Sequence, residues 1–229
     1  MTTHLVLIPS YDAGANLRQT VQAALAVWPS VMVVDDASTD GSAGGVEALG
    51  AALLRRPRNG GKGAAVLDGL TLAQAQGFTH ALVMDADGQH PAACIAAFMA
   101  ASVARPAAMV LGRPQFGPDA PAVRRIGRRL ANGLARLAAG GPSIGDSLFG
   151  FRVYPVAPLL QVMRQTRWMR GYDFDPEAAI RLVRLGVPAI NLPAPVRYPR
   201  RSDGGVSHFQ YVRDNLLLAW MFARLLLRA

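Results

Sequence analysis

The sequence predicts an α/β domain with a largely parallel central sheet. Short apolar runs alternate with helix-length segments through the first half of the chain. Three of those runs end in polar clusters, and open α/β sheets bind ligands beyond the carboxyl ends of their strands. With 229 residues and 51% hydrophobic content, the chain has material for one well-buried core.

Leu5 to Pro9 reads as the first strand and ends in Pro9-Ser10-Tyr11-Asp12, followed by a helix over Asn16 to Val27. Val31 to Val34 is the second strand, and it runs into Asp35-Asp36-Ala37-Ser38-Thr39-Asp40. At such a strand-to-helix turn Ser38 or Asp40 can cap the helix and the aspartates can form the turn. A carboxylate there can also accept hydrogen bonds from the ribose or base of a nucleotide, a role that suits Asp35 and Asp36. Ala51 to Leu54 gives a third strand. The following segment, Asn59-Gly60-Gly61-Lys62-Gly63-Ala64, opens a helix over Gly63 to Gln76 and carries the only lysine of the chain. Flexible glycines there can bring backbone amides and the Lys62 ammonium to phosphate. A Walker A loop is excluded, because Gly63 follows Lys62 where Ser or Thr is needed.

Ala81 to Met84 is a strand that stops at Asp85-Ala86-Asp87-Gly88-Gln89-His90-Pro91. Carboxylates at i and i+2 of an extended backbone address one side, so Asp85 and Asp87 can share a hard cation, Mg2+ or Mn2+, whose free positions suit diphosphate oxygens. An ordinary surface turn of Asp-Gly with a nearby proline fits the tetrapeptide as well. A helix over Ala92 to Ala104 and a strand over Ala108 to Leu111 follow. Beyond residue 112 come a helix from Pro121 to Ala138, a glycine-rich loop, and mixed elements up to Tyr198, expected to complete the same domain and build the acceptor side.

The net charge of +9 rests on 23 arginines and Lys62 against 15 acidic residues. An arginine-dominated excess suits phosphate, which the guanidinium fork binds bidentately, so nucleic acid, anionic lipid and phosphorylated small molecules all remain open on charge alone. Cys94 is the single cysteine, which removes disulfides and cysteine zinc sites and points to a reducing cytosol. No signal peptide is evident, so a cytoplasmic location is expected. His4, His80, His90 and His208 show no metal-ligand spacing and read as incidental, apart from a place for His208 near the acceptor.

Taken in order, Pro9-Ser10-Tyr11-Asp12, Val34 to Gly41, Asn59 to Gly63, Met84 to Pro91, Asp146-Ser147-Leu148-Phe149-Gly150-Phe151-Arg152, Gly171 to Glu177 and Gly205-Val206-Ser207 resemble the family 2 inverting glycosyltransferases. Within these they are similar to the dolichyl-phosphate and polyprenyl-phosphate sugar synthases. The resemblance covers about residues 5 to 210. It implies a single nucleotide-sugar-binding domain of the GT-A, Rossmann-like type over 1–207, with a C-terminal helix over 208–229. It also implies that Pro9, Tyr11 and Asp36 hold the nucleotide, that Asp85 and Asp87 handle metal and diphosphate, that Gln89 lies beside the donor, and that Ser207 belongs to the substrate site. The chain has Asp12-Ala13 where the family commonly has Asn-Glu, and His208 where a lysine is frequent.

Arg124, Arg125, Arg128, Arg129 and Arg136 share one arc of a helix whose other face carries Ile126, Leu130, Leu134 and Leu137. No acidic residue lies between Arg124 and Arg136, and like charges at i and i+4 repel unless an anion is near. The resemblance supplies that anion as a lipid phosphate, for which Arg113, Arg128 and Arg201 are candidates. The C-terminal helix, Phe209 to Ala229, is apolar on most sides, but its stretch from Leu216 extends only about 18 Å, too short to span a bilayer. It packs on the core or lies at a membrane interface with its arginines toward headgroups.

The expected reaction is metal-dependent, inverting transfer of a sugar from a nucleotide diphosphate sugar, GDP-mannose or a UDP-hexose, to a polyprenyl or dolichyl phosphate. The expected partners are that donor, the lipid phosphate and a peripheral membrane contact at the inner face, without nucleic acid. Asp87 and Gln89 are the catalytic candidates on the leaving-group side. A hydroxyl acceptor would require a general base, for which Asp146, Asp173 and Glu177 stand as candidates. Sugar nucleotidyltransfer lacks its usual glycine- and arginine-rich loop after the first strand, and a basic lipid- or nucleic-acid-binding module is the non-enzymatic alternative.

Overall fold

The computed structural model describes residues 3–116, 122–196 and 211–227, without the side chains of 122–125, 211 and 212. Seven strands form one sheet: β1 (His4–Ser10), β2 (Val31–Asp35), β3 (Ala52–Arg55), β4 (His80–Val83), β5 (Met109–Gln115), β6 (Arg152–Pro155) and β7 (Ala189–Pro195). Their order is β3-β2-β1-β4-β6-β5-β7. All pairs are parallel except those of β6, which runs antiparallel to β4 and β5. The sheet is thus largely parallel, and the start of β6 lies at the edge where β1, β2 and β4 end.

Along β1, Leu5 and Leu7 enter one apolar cluster and Val6 and Ile8 the other. Both faces are covered, so the strand reads as an unbroken apolar run instead of an alternating one. Helices α1 (Ala15–Leu25) and α3 (Ile95–Ala104) contribute Leu17, Val21, Ile95 and Phe98 to one face. The opposite face is covered by α2 (Lys62–Ala75), α4 (Ala122–Ala139), α5 (Val156–Arg164), α6 (Phe174–Arg184) and α7 (Tyr211–Leu226). Met221, Phe222 and Leu225 seat α7 in that core. Arg184 of α6 donates to Ala138 O and Leu225 O, so α4 and α7 end side by side over one guanidinium.

Helix α4 leaves three side chains of its apolar face, Ile126, Leu130 and Leu137, exposed. Its core contact is made by Ala135 and Ala138 with Ala131 and Leu134 beside them, while Arg128 and Arg136 turn to the neighbouring loop. Strand β4 stops earlier than expected, at Val83, and Ala86 and Asp87 lie in a turn. The Asp85 amide donates to His90 Nδ1 at 2.9 Å, and Gly88 adopts a left-handed φ of 74°. That closure places Asp87 in a turn and off the strand.

Candidate active site at the carboxyl edge of the sheet

The loops after β1 and β2 are stitched together by carboxylates. Asp12 accepts the amides of Thr39 (2.7 Å) and Asp40 (3.2 Å), its own amide donates to Ser38 Oγ, and Asp40 accepts the Gly14 amide. Asp35 accepts the Ser38 amide at 2.9 Å. Asp12 and Ala37 hold positive φ angles of 42° and 62°, backbone strain that this bonding sustains. Asp12 therefore organises the loop in place of the family's Asn-Glu. Pro9 is buried in β1, and Tyr11 stands half-exposed at the rim, its phenol pushed up by the adjacent Asp12.

Asp36 is buried, and its carboxylate takes the amides of Gly60 (3.0 Å) and Gly61 (2.7 Å) together with the Arg56 guanidinium, which also pairs with Asp68. It fixes the glycine-rich loop against the end of β2. On its other side the loop meets Met169 and Arg170: a Cβ on Gly63 would collide with Met169 O, and the Ala64 amide donates to Arg170 O. Only glycine fits that approach.

At the start of α2, Lys62 Nζ lies 2.6 Å from Asp85 Oδ1 and 2.6 Å from Asp175 Oδ2. Burial alone would lower the Lys62 pKa, but the carboxylates of Asp175 and Asp85 outweigh it and hold the ammonium charged. Burial likewise works against the Asp85 carboxylate, and Lys62 more than offsets it. For Asp87, burial and then the charge of Asp85 push the carboxyl above the usual range. Burial pushes the His90 imidazole down. Its Nδ1 accepts a backbone proton, which assigns the proton to Nε2, 3.7 Å from Asp85 Oδ2. Tyr172 is pushed up to about 12 by burial and by Asp85. Gly150 seals the group, since a Cβ there would lie 2.7 Å from Lys62 Nζ and 2.9 Å from Asp85 Oδ2.

Among the described residues no set of three His, Cys, Asp or Glu side chains makes a self-sufficient metal cage. The donor set nevertheless fits a divalent cation completed by substrate oxygens. Asp87 is a half-buried carboxylate repelled by Asp85, and Asp175 Oδ1 is buried without a hydrogen-bond partner among the described residues. Gln89 enters this turn through its amide, which donates to Asp87 Oδ1 at 2.9 Å.

Across the edge, Asp146 is buried and accepts from Arg128, from Asn132 Nδ2 (3.1 Å) and from the amides of Leu148 and Phe149. Arg128 also lies over the Phe116 ring. The loop at Gly145, fixed through its amide to Asn191 Oδ1, brings Arg113 close by. Arg152 is fully buried and donates to Phe149 O, Asp146 O, Asp175 O and Tyr154 OH.

The structure thus gathers Lys62, Asp85, Asp87 and Gln89 in one group and places Arg113 and Arg128 at one loop. The general-base candidates are all held by protein donors. All of Asp146 is engaged in holding its loop and Arg128. Glu177 is fully buried, bound by both nitrogens of the Arg224 fork at 2.9 and 2.6 Å and by Arg181 at 2.7 Å. Asp173 accepts the Met169 and Gly171 amides. Both carboxylate oxygens of each of the three accept at least one protein hydrogen bond. Asp35 and Asp36 are likewise engaged by protein donors. Arg201, Ser207 and His208 lie outside the described residues, as do the side chains of Arg124 and Arg125.

Asp175, Arg152 and His90 were not anticipated as site residues. Asp175 stood inside the Gly171 to Glu177 motif, but nothing local announces a lysine 113 positions away. His90 was set aside for lack of ligand spacing, although its five-residue separation from Asp85 is what closes the turn.

The model of the family described as "Glycosyl transferase family 2" matches residues 5–162. Among curated proteins, the polyprenol monophosphomannose synthase of Mycolicibacterium smegmatis is 28% identical over 202 residues, covering 82% of this chain and 75% of that protein. The undecaprenyl-phosphate mannosyltransferase of Micrococcus luteus is 26% identical over 199 residues, covering 82% and 81%. Glucosyl-3-phosphoglycerate synthase from Mycobacterium tuberculosis, crystallised with Mn2+, UDP and phosphoglyceric acid, superposes with a TM-score of 0.72 at 18% identity over 99% of this chain and 78% of that one. Mannosyl-3-phosphoglycerate synthase from Rubrobacter xylanophilus gives a TM-score of 0.69, also at 18% identity, over 99% and 73%. The two structures share its fold, and the chain itself belongs to glycosyl transferase family 2, as a glycosyltransferase.

Proposed function

We propose that the protein transfers a hexose, with inversion, from a nucleotide diphosphate sugar to a polyprenyl phosphate at the inner face of a membrane. The observation that carries this reading is the division of labour at the sheet edge. One side has Lys62 between the carboxylates of Asp85 and Asp175. The other has arginines, Arg113 and Arg128, at the Gly145-Asp146 loop. The two relatives named for polyprenol and undecaprenyl phosphate mannosylation support the acceptor class and favour mannose as the sugar.

A phosphate acceptor is anionic at neutral pH and attacks the anomeric carbon without a strong base. Positioning and leaving-group stabilisation then remain as the catalytic tasks. The engagement of Asp146, Asp173 and Glu177 by protein donors agrees with a site that has no base to spare. Arg128, held by Asp146 and by the Phe116 face, presents its guanidinium in a fixed attitude, and Arg113 and Arg201 complete the acceptor side. Lys62 sits where it can exchange a carboxylate for diphosphate oxygen, on a glycine loop that Asp36 fixes through the Gly60 and Gly61 amides. Pro9, Tyr11 and Asp35 are assigned to the nucleotide end, and Ser207, outside the described residues, to substrate binding. A divalent cation, Mg2+ or Mn2+, held by Asp87 with Asp85 would neutralise charge developing on the departing nucleotide diphosphate.

The test is product analysis with radiolabelled GDP-mannose and UDP-glucose, each with undecaprenyl phosphate and Mn2+. A lipid-extractable product that releases sugar in mild acid is expected. An acid-stable lipid product, or transfer only to a water-soluble phosphorylated acceptor, would overturn the acceptor assignment.

A further inference from the structure

We propose that the solvent side of α4 and α7 is a docking face for an anionic lipid bilayer. Six large apolar side chains stand exposed on these two helices: Ile126, Leu130 and Leu137 on α4, and Leu216, Trp220 and Leu227 on α7, with 55% to 84% of each accessible. Within each helix the spacing is i, i+4, i+11, a single stripe on a 3.6-residue period. Side chains of this size have no reason to line up on a wetted surface, and such patches mark interaction sites.

The two helices meet at their C-terminal ends. Arg184 holds the last turns of α4 and α7 on one guanidinium, which brings Leu137 and Leu227 to neighbouring helix ends. Beside Trp220 and Leu227 a crevice of about 540 Å³ opens against Thr166, Arg167 and Trp168.

Charge selects the partner. Arg129 on α4, Arg213 on α7 and Arg167, stacked at 4.9 Å on Trp168, are exposed around the stripes. Helix α4 contains no acidic residue, and the one on α7, Asp214, is buried. Apolar side chains flanked by cations without acidic neighbours fit the acyl and phosphate layers of an anionic leaflet, with tryptophan at the boundary. No helix among the described residues is long and apolar enough to cross a membrane, so contact here would be lateral.

Both helices also reach the site: Arg128 of α4 bonds Asp146, and Leu217 of α7 lies against Gly171. A leaflet on this face would bring headgroup phosphates to the acceptor edge. The inference deepens the proposed function, but vesicle binding is read without donor or acceptor, so loss of docking and loss of transfer are separate results.

The full chain is sedimented with vesicles of phosphatidylcholine alone and of phosphatidylcholine with phosphatidylglycerol. Binding to the anionic vesicles is expected, with Trp220 emission shifted to the blue and quenched by brominated acyl chains, and the quenched component absent in Trp220→Phe. Leu130→Ser with Trp220→Ser should weaken binding by about tenfold or more. Arg129→Gln with Arg213→Gln should weaken it on anionic vesicles only, all with unchanged melting temperature. Absence of wild-type binding, or full binding by the Leu130→Ser/Trp220→Ser protein, would overturn the proposal. So would a wild-type dimer in light scattering that these substitutions split while vesicles stay unbound, because a second copy would then be the occupant.

Discussion

Replacing Glu177 by glutamine separates a structural carboxylate from a catalytic one. The side chain is wholly buried, the Arg224 side chain facing it is 5% exposed, and both guanidinium nitrogens lie within 2.9 Å. Water screens this pair little, and removing one partner of a buried pair costs about 3–5 kcal/mol because the other charge is left uncompensated. Arg181 adds about 0.5 kcal/mol at most, since it is an i, i+4 partner with a quarter of its side chain in solvent. For a chain of this size each kcal/mol moves the melting temperature by about 2–4 °C, so Glu177→Gln should melt roughly 10 °C lower. Thermal and urea melts measure this, and Glu177→Met with Arg224→Met should recover much of the loss by replacing the ion pair with apolar packing. At a temperature where the variant is folded, turnover per molecule should stay within a factor of about three, since nothing places Glu177 at a reacting atom. An unchanged melt with transfer reduced about a hundredfold would refute the reasoning and restore Glu177 as an acid or base.

Further outcomes follow from the group around Asp87. Its carboxyl is raised in the folded state, so ionisation there opposes folding above the folded pKa and that cost disappears as pH falls through it. Asp87→Asn should therefore melt higher than wild type at neutral pH in chelator while losing transfer by about a thousandfold. Asp85 has the opposite sign: its lowered pKa gives stability that is present above the unfolded carboxylate value and lost as pH falls through the folded one. Calorimetric Mn2+ binding should weaken by about tenfold per pH unit below the Asp87 pKa, with proton release on binding. Gly150→Ala places a methyl 2.7 Å from Lys62 Nζ, so the donor KM should rise by about tenfold with little change in melting temperature.

The central strands were legible because a sheet covered on both faces spells its strands as apolar runs, as Leu5 to Ile8 and Val31 to Val34 do. Strand β6 was not, since Arg152-Val153-Tyr154-Pro155 carries a charge and a proline, and its burial depends on carbonyls supplied from elsewhere. The same reason hides the engagement of Glu177, whose Arg224 partner is 47 positions away, and of Asp146 by Arg128. Residue types and their order announce a nucleotide-sugar edge; which carboxylates are already taken depends on long-range pairing. The exposed stripe of α4 was visible as a periodicity, yet period alone does not say which side of a helix meets the core.

Arg152 has a consequence for how this site can change over generations or in the laboratory. One guanidinium serves the Asp146 carbonyl, the Phe149 carbonyl and the Asp175 carbonyl, so the Asp146–Phe149 loop and the start of α6 are built to a common template. A loop borrowed singly from a relative would arrive cut to another pattern, and Lys at position 152, with a single pointed ammonium, could not span the set. The exchangeable unit is the block from Asp146 to Asp175, inherited or transplanted whole.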